Sequence, residues 1–387
     1  MRVAQITTSL KGGAGIAAVR LSQALVHVGV DSEIVSQRTA GGRTSLSSKA
    51  TTILQRFLVQ SSSNLVTTFS HTALTSEAVE NFDILHFHST YNLVKIGEIL
   101  QHAGDRPVFI TLHDQRSITG GCHYSGECVQ FSEDCSHCPQ VKKLFWSQVA
   151  REKKLVNDLL QSSQVHIVSP STWLAEITSQ IIPPAKPVHI VRNPIPATTI
   201  ADEINLVKEL RLEEKKFVIG FVSANLTNPL KGIEDLFNAL NKLPLDIQRK
   251  IHLLLVGKSS VNFRNENIST SSFVMNNDIL IENPYAFMNL LLVPSRQDNS
   301  PNVIGEAFMS GTRVIGSSVG GIPELLNELD CAAVDTTSPN LFAKAILREM
   351  QHKYSRAELS QNAQKIFGFS RIGDQVKSLY QEALRNA

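Results

Sequence analysis

The chain has no apolar run near the roughly eighteen residues that a bilayer crossing needs. It has no excess of one charge: 37 Lys and Arg stand against 35 Asp and Glu, a formal +2. That balance gives no basis for nucleic acid as a partner, while an anionic small molecule held by a few local cations stays compatible. No Asp-x-Asp pair occurs anywhere, so that way of carrying a metal ion to a diphosphate is missing. The glycine run Lys11-Gly12-Gly13-Ala14-Gly15 is followed by Ile16-Ala17 rather than Lys-Ser/Thr, which argues against a phosphate-loop NTPase. Gly13-x-Gly15-x-x-Ala18 is only a loose dinucleotide fingerprint, because several residues separate it from the first strand. The start, Met1–Ser9, lacks a charged segment leading into a long apolar one and reads as a buried strand. The expectation is a cytoplasmic protein, with peripheral contact at the inner face of the plasma membrane left open.

What is present is an ordinary globular balance, 42% hydrophobic and 19% charged, over 387 residues. That length is too great for one usual core, so two domains are expected. In the first half, apolar runs at Arg2–Ile6, Val28–Val35, Asp83–His88, Pro107–Leu112, Val165–Ser169 and Pro187–Val191 read as strands. Helical patterns lie between them, including Ala17–Leu25, Leu93–His102, Val141–Leu160 and a helix capped by Ser171 or Thr172. A short helix is expected near Ile53–Val59, within a Ser- and Thr-rich stretch from Arg38 to about Glu80. After a proline-bearing linker, Pro194–Asp202, strands at Phe217–Ser223, Ile251–Gly257 and Phe273–Met275 start a second alternating series. It ends in helices at Leu341–Met350, Arg356–Ile366 and Ser370–Leu384. Such alternation predicts parallel sheets with right-handed crossovers. The expected domains are 1–195, 196–368 and a final helix, 369–387, packing back on the first domain.

Several residues point to chemistry. His86 and His88 share a strand face, and His113-Asp114 ends the next strand; ligands of parallel sheets sit at such ends. His86 reads as a satisfied buried histidine. His88 and His113 are the better site candidates, and Asp114 either bonds near His113 or caps the next turn. Cys122, Cys128, Cys135 and Cys138 crowd one loop, where structural zinc, disulfides and free thiols all stay open. Lys231-Gly232 follows the first strand of the second half and can meet an anion. From Leu291 to Leu325 the pattern is strand, polar loop, helix, strand, loop. It carries Asp298 and Glu306, two acids eight residues apart.

On these residues the chain resembles the retaining glycosyltransferase family four. PSRQDNSPNVIGEAFMSGTRVIGSSVGGIPEL is similar to the family's donor motif, with Asp298 where a glutamate is usual and Glu306 as the second acid. The resemblance implies the GT-B fold, two doubly wound Rossmann-like α/β domains facing across a cleft. It implies that Asp298 bonds the hexose and Glu306 the ribose. Asn299, Ser300, Pro301, Asn302 and Val303 would meet the sugar and diphosphate, with Asn225 nearby. Lys231 matches the diphosphate lysine, Gly12 and Gly13 the N-terminal phosphate loop, and His113 the histidine beside the sugar. His88 and Asp114 would lie toward the acceptor. The family's arginine before the lysine is missing from ANLTNPL. The segment Thr111–Gln140 resembles an exopolysaccharide subgroup. The implied activity is metal-independent transfer of a hexose, glucose first, from a uridine diphosphate sugar to a glycan or lipid-linked acceptor, by front-face substitution with Lys231, His113 and Asp298 at the centre. No cofactor is implied for catalysis. A non-catalytic nucleotide-sugar-binding scaffold and a GT-B epimerase are the rival readings.

Overall fold

The computed structural model describes residues 1–40, 57–59, 66–67, 70–197, 216–273 and 283–386. The expected helix at Ile53–Val59 and the strand at Phe273–Met275 lie largely outside these residues, as does the second half of the proline-bearing linker. The chain divides into two compact units, Met1–Pro194 with Phe369–Ala387, and Ile195–Gly368.

The first unit holds one parallel sheet of six strands: β1 (Arg2–Thr7), β2 (Asp31–Ser36), β3 (Ile84–Ser89), β4 (Val108–Thr111), β5 (Val165–Ser169) and β6 (Val188–Ile190). Their order is β2-β1-β3-β4-β5-β6. Its helices are α1 (Gly12–His27), α2 (Ile99–Ala103), α3 (Trp146–Gln161) and α4 (Thr172–Ser179). Both sheet faces are covered, so strands such as Val108–Thr111 are buried along their whole length. The unit's last helix comes from the far end of the chain. Ile372, Val376, Tyr380 and Ala383 recur at helical spacing, forming one apolar face. That face buries against Val3, Leu21, Leu25, Ile84 and Phe109.

The second unit repeats the architecture with β7 (Phe217–Asn225), β8 (Ile251–Lys258), β9 (Ser269–Phe273), β10 (Leu290–Val293), β11 (Arg313–Ser317) and β12 (Ala332–Val334). The order is β12-β11-β10-β7-β8-β9, again all parallel. Helices α5 (Ile233–Leu240), α6 (Leu245–Gln248), α7 (Asn302–Met309), α8 (Ile322–Asn327), α9 (Pro339–Met350) and α10 (Arg356–Phe367) flank it. The helix beyond Gly368 is α11 (Phe369–Asn386) and belongs to the first unit.

Strand order reverses beside β1 and β3 in the first unit, and beside β7 and β10 in the second. In open α/β sheets such switch points open crevices at the carboxyl ends of the strands. The glycine run follows β1, His88 lies in β3, Lys231 follows β7 and Asp298 follows β10. Topology therefore gathers candidate residues that are far apart in sequence.

Some boundaries differ from expectation. β2 starts at Asp31 rather than Val28, because Val28 and Gly29 still bond back to Leu25 and Val26 at 3.1 and 3.0 Å. The helix expected from Val141 begins at Trp146; Val141 instead makes an antiparallel bridge to Val59. The helix expected over Leu93–His102 shrinks to a 3-10 turn, Ile96–Glu98, and α2. Helices α6 and α8 and strand β12 carried no clear periodic signal because they are short. Ser171 does cap α4, its Oγ accepting from Leu174 N at 3.0 Å.

Candidate active site

In the second unit the acid-bearing loop leaves β10 at Pro294 and enters α7 at Asn302. The 3-10 turn Pro229–Lys231, capped by Asn228 Oδ1 on Leu230 N at 3.0 Å, brings Lys231 to it. Lys231 Nζ donates to Asp298 Oδ2 at 2.6 Å, with Asp298 buried and Lys231 partly open. Ser295 Oγ adds a longer bond to the same carboxylate oxygen, 3.4 Å. Ser317 Oγ holds the Ser295 carbonyl at 2.5 Å, tying the loop to the end of β11.

Two glycines set how closely these loops approach. Gly232 has φ +69°, and a Cβ there would lie 2.0 Å from the Pro294 carbonyl oxygen. Gly320 has φ +59°, and its Cβ would lie 1.9 Å from the Asp298 carbonyl oxygen. That oxygen also accepts from Gly321 N at 3.2 Å. Only a residue without a side chain fits such contacts in that backbone region.

Glu306 lies on the first turns of α7 and accepts from the Tyr285 hydroxyl. Tyr285 is held from outside the motif. The Arg356 guanidinium donates to the carbonyls of Met288 (2.7 Å), Ala286 (3.1 Å), Ser310 (3.2 Å) and Tyr285 (3.3 Å), and to Thr312 Oγ1 (2.9 Å). Nothing in the local spacing of residues near Glu306 pointed to Tyr285 or Arg356. Asn299 and Pro301 are buried, while Ser300, Asn302 and Val303 are part-exposed at the start of α7. Helix starts favour negative charge. Asn225 ends β7, exposed, its Oδ1 accepting from Thr227 N and Oγ1 at 3.1 and 2.9 Å. Arg296 lies within this loop; its backbone N donates to the Leu230 carbonyl at 2.8 Å. Its side chain grips Asp235 with two bonds, 2.9 and 3.0 Å.

In the first unit His86, His88 and His113 form a closed network with Gln5, Thr111 and Tyr380. Gln5 Nε2 donates to the Tyr380 hydroxyl at 3.1 Å, so Gln5 Oε1 faces His88 Nε2 at 2.7 Å. A carbonyl oxygen only accepts, so His88 carries its hydrogen on Nε2. Its Nδ1 must then accept, and His113 Nε2 donates to it at 2.9 Å. The Tyr380 hydroxyl donates to His86 Nδ1 at 2.6 Å, and His86 Nε2 donates to Thr111 Oγ1 at 2.7 Å. Every bond is satisfied with all three imidazoles neutral. Burial drives the pKa the same way, lowering His86 to about 3 and His113 to about 4, and His88 well below the usual histidine range. His88, Thr111 and His113 line a small pocket with Arg192 and Asn193.

Asp114 is a cap: its Oδ1 accepts from Arg116 N at 2.8 Å and its Oδ2 from His123 Nδ1 at 2.6 Å. Burial alone would raise its pKa, but His123 and the Arg116 N–H and charge pull it below the ordinary value. Gly12 and Gly13 form the exposed first turn of α1. Cys122, Cys135 and Cys138 pack into a small core with Val66, Val141 and Val149. Burial pushes the Cys122 thiol up to about 12 and Cys135 to about 11. The structure shows all five cysteines as free thiols, and among the described residues it has no group of three His, Cys, Asp or Glu side chains gathered as a formed metal site. No described helix is long and apolar enough to cross a membrane.

Two strand-order switch points, with a lysine–acid pair at one and a neutral histidine network at the other, define a two-domain α/β protein with candidate ligand sites at its strand ends. Comparison with known proteins carries this further. Residues 11–198 match the pattern described as Glycosyltransferase Family 4, and 216–352 that of Glycosyl transferases group 1. The chain belongs to glycosyltransferase family four, with the GT-B fold. It is 25% identical over 358 residues to the putative colanic acid biosynthesis glycosyl transferase WcaC of Escherichia coli K12, covering 85% of this chain and 86% of that one. Among solved structures, sucrose-phosphate synthase from Thermosynechococcus elongatus has the same fold at TM-score 0.66 and 15% identity, over 100% of both chains. Anabaena HepE in complex with UDP-glucose superposes at TM-score 0.58 and 15% identity, over 99% of this chain and 100% of that one.

Proposed function

We propose that this glycosyltransferase moves a hexose, glucose first, from a uridine diphosphate sugar to a glycan or lipid-linked acceptor in polysaccharide assembly, with retention and without a catalytic metal. The observation that carries the reading is the Lys231–Asp298 pair at the β7–β10 switch point, on the loop that enters α7, the helix that bears Glu306. WcaC is named for colanic acid biosynthesis and HepE was solved with UDP-glucose, which supports the polymer and the donor class.

Lys231 is assigned to the donor diphosphate. A preorganised cation there stabilises charge as it develops on the leaving phosphate. Asp298 holds the lysine in place and offers its remaining oxygen to the hexose hydroxyls. Glu306, steadied by Tyr285, is assigned to the ribose. The N–H groups near Ser300–Val303, with Asn225, Asn299, Pro301 and Asn302 around them, are assigned to the sugar and diphosphate. His113 is assigned to the sugar as a neutral imidazole that keeps its Nε2 hydrogen on His88. Gly12 and Gly13 are assigned to phosphate, and His88 and Asp114 support the acceptor side. The leaving phosphate takes the acceptor proton as the new glycosidic bond forms on the face it leaves, so the anomeric configuration is kept.

The test is a panel of nucleotide sugars and NAD read by thermal shift, since a ligand raises stability through the state it binds. Transfer from the best donor into membrane-derived and glycan acceptors follows, with the product anomer read by proton NMR and activity repeated in EDTA. A uridine diphosphate hexose should give the largest shift and an α-linked product. Stabilisation by NAD alone, or donor binding with no transfer or hydrolysis, overturns the reading.

A further inference from the structure

Cys122, Cys128, Cys135 and Cys138 all line one cavity of about 10 Å³, the space of about one water molecule. Sulfur is drawn to that cavity by more than apolar packing. The Gly120 N–H bonds the Cys135 sulfur, and the Gln140 and Val141 N–H groups bond the Cys138 sulfur. Beside the cluster stands Lys153, only 1% exposed. Its ammonium donates to the Ile118 carbonyl at 3.0 Å. Among the described residues it pairs with no carboxylate. A buried cation of this kind is costly unless a negative group answers it.

We propose that the four cysteines bind one structural zinc ion as a tetrathiolate, with Lys153 as the buried counter-charge. The balance is simple. One Zn²⁺ binds four thiols, four protons leave to solvent, and the site carries a net charge of minus two that Lys153 partly offsets. The thiols have no mutual attraction and are not gathered as a formed site. The ion supplies that attraction within the cavity the four side chains share. Cys135-x-x-Cys138 is the spacing that lets two thiolates reach one tetrahedral ion, and zinc suits an all-sulfur tetrahedral set.

The ion would order the loop that returns to the histidine network. Within that loop His123 holds Asp114 next to His113, and Ser125 holds Gln115 by bonds of 2.6 and 3.1 Å. This inference is independent of the glycosyltransferase reading, since its readouts are metal content and spectra rather than transfer.

The experiment uses the full chain purified without chelator and with reductant removed. Elemental analysis should give about one zinc per chain. Cobalt exchanged into the same protein should show the sulfur-to-cobalt charge-transfer and intense visible bands of a tetrahedral thiolate site. Denatured with chelator, all five cysteines should react as thiols. Cys135→Ser should lose the metal. Lys153→Met should give up zinc to a competing chelator about tenfold more readily, as loss of a group outside the ligand shell does, while Lys153→Arg retains it. Absence of metal with five reactive thiols, even after zinc is supplied, overturns the proposal. So does a single reactive thiol, which would mean two disulfides. If Cys135→Ser fails to fold, the cobalt spectrum of the unaltered chain decides.

Discussion

Lys231 Nζ and Asp298 Oδ2 meet at 2.6 Å across 67 residues of sequence. Asp298 stands where the family resemblance implies a glutamate, one methylene longer. The ion pair is largely shielded on the Asp298 side, with side-chain exposures of 30% and 10%. Lys231→Ala should lower kcat by about a hundredfold to a thousandfold, the usual loss for one charge-stabilising donor. Its Tm should stay within a few degrees, because the lysine stem is not in the core. Near-normal turnover in a folded Lys231→Ala enzyme would remove Lys231 from the chemistry. Asp298→Asn should raise KM for the donor and lower kcat together, while Asp298→Glu keeps more activity than Asp298→Asn.

Arg356 touches no assigned substrate group, yet it closes five bonds to oxygens around the 3-10 turn Pro284–Phe287. Arg356→Ala should destabilise the second unit by about 2–4 kcal/mol, the scale for charged hydrogen bonds whose buried acceptors are left alone. Urea unfolding measures this. Because Tyr285 then loses its seat under Glu306, donor KM should rise as well. Unchanged KM with lost stability would separate the clamp from the ribose assignment.

Gly320→Ala introduces a methyl group where the Asp298 carbonyl oxygen lies 1.9 Å away, in a left-handed backbone. The loop must move or the backbone must leave φ +59°. A cost of about 1–3 kcal/mol is expected, with donor affinity falling more than acceptor affinity. Isothermal titration with the donor checks it, and unchanged donor affinity counts against the loop placement.

The three histidines of this network make stability depend on pH in a stated direction. His86 and His113 have folded pKa values of about 3 and 4, against 6.5 when unfolded, through burial. Between those values the unfolded chain binds more protons than the folded one, so stability falls as pH falls. It is fully present above about pH 6.5 and is lost progressively toward pH 4. Denaturant midpoints measured from pH 7.5 to 4.5 should show this slope, and His86→Gln should reduce it by about one proton. A slope unchanged by that substitution would mean that other groups dominate.

Tyr380→Phe removes a hydroxyl that serves both Gln5 and His86. It leaves His86 Nδ1 buried without a partner, at a cost of about 1–3 kcal/mol. The freed Gln5 amide no longer holds His88 in one tautomer, so the pH profile of transfer should broaden if His113 acts on the sugar. A profile identical to the parent's would make the network structural only.

Much of this protein was legible from local pattern. The alternation of apolar runs predicted two parallel sheets, since each strand buried on both faces must be apolar along its length. Asp298 and Glu306 stood out because one short loop and one helix start hold both. Strand ends at His88 and His113 were equally local. Other features were hidden for a physical reason. Tyr380 bonds His86 across 294 residues, and only the apolar stripe of α11 hinted that Tyr380 faced inward. Arg356 and Tyr285 gave no sequence signal of their roles, because hydrogen bonds to carbonyls leave no periodic trace. Short elements such as α8 and β12 contain too few residues for periodicity to show.

Sequence alone determined the architecture, the family and the position of the acid-bearing motif, because hydrophobic period, glycine placement and motif spacing are local properties of a chain. Tertiary structure alone decided that Lys231 is held by Asp298, that three histidines are neutral and in which tautomers, and that four thiols line one cavity. Those are properties of distance and solvent exclusion. A side chain's charge state and partner exist only once the sheet order has brought remote strand ends together and removed the water between them.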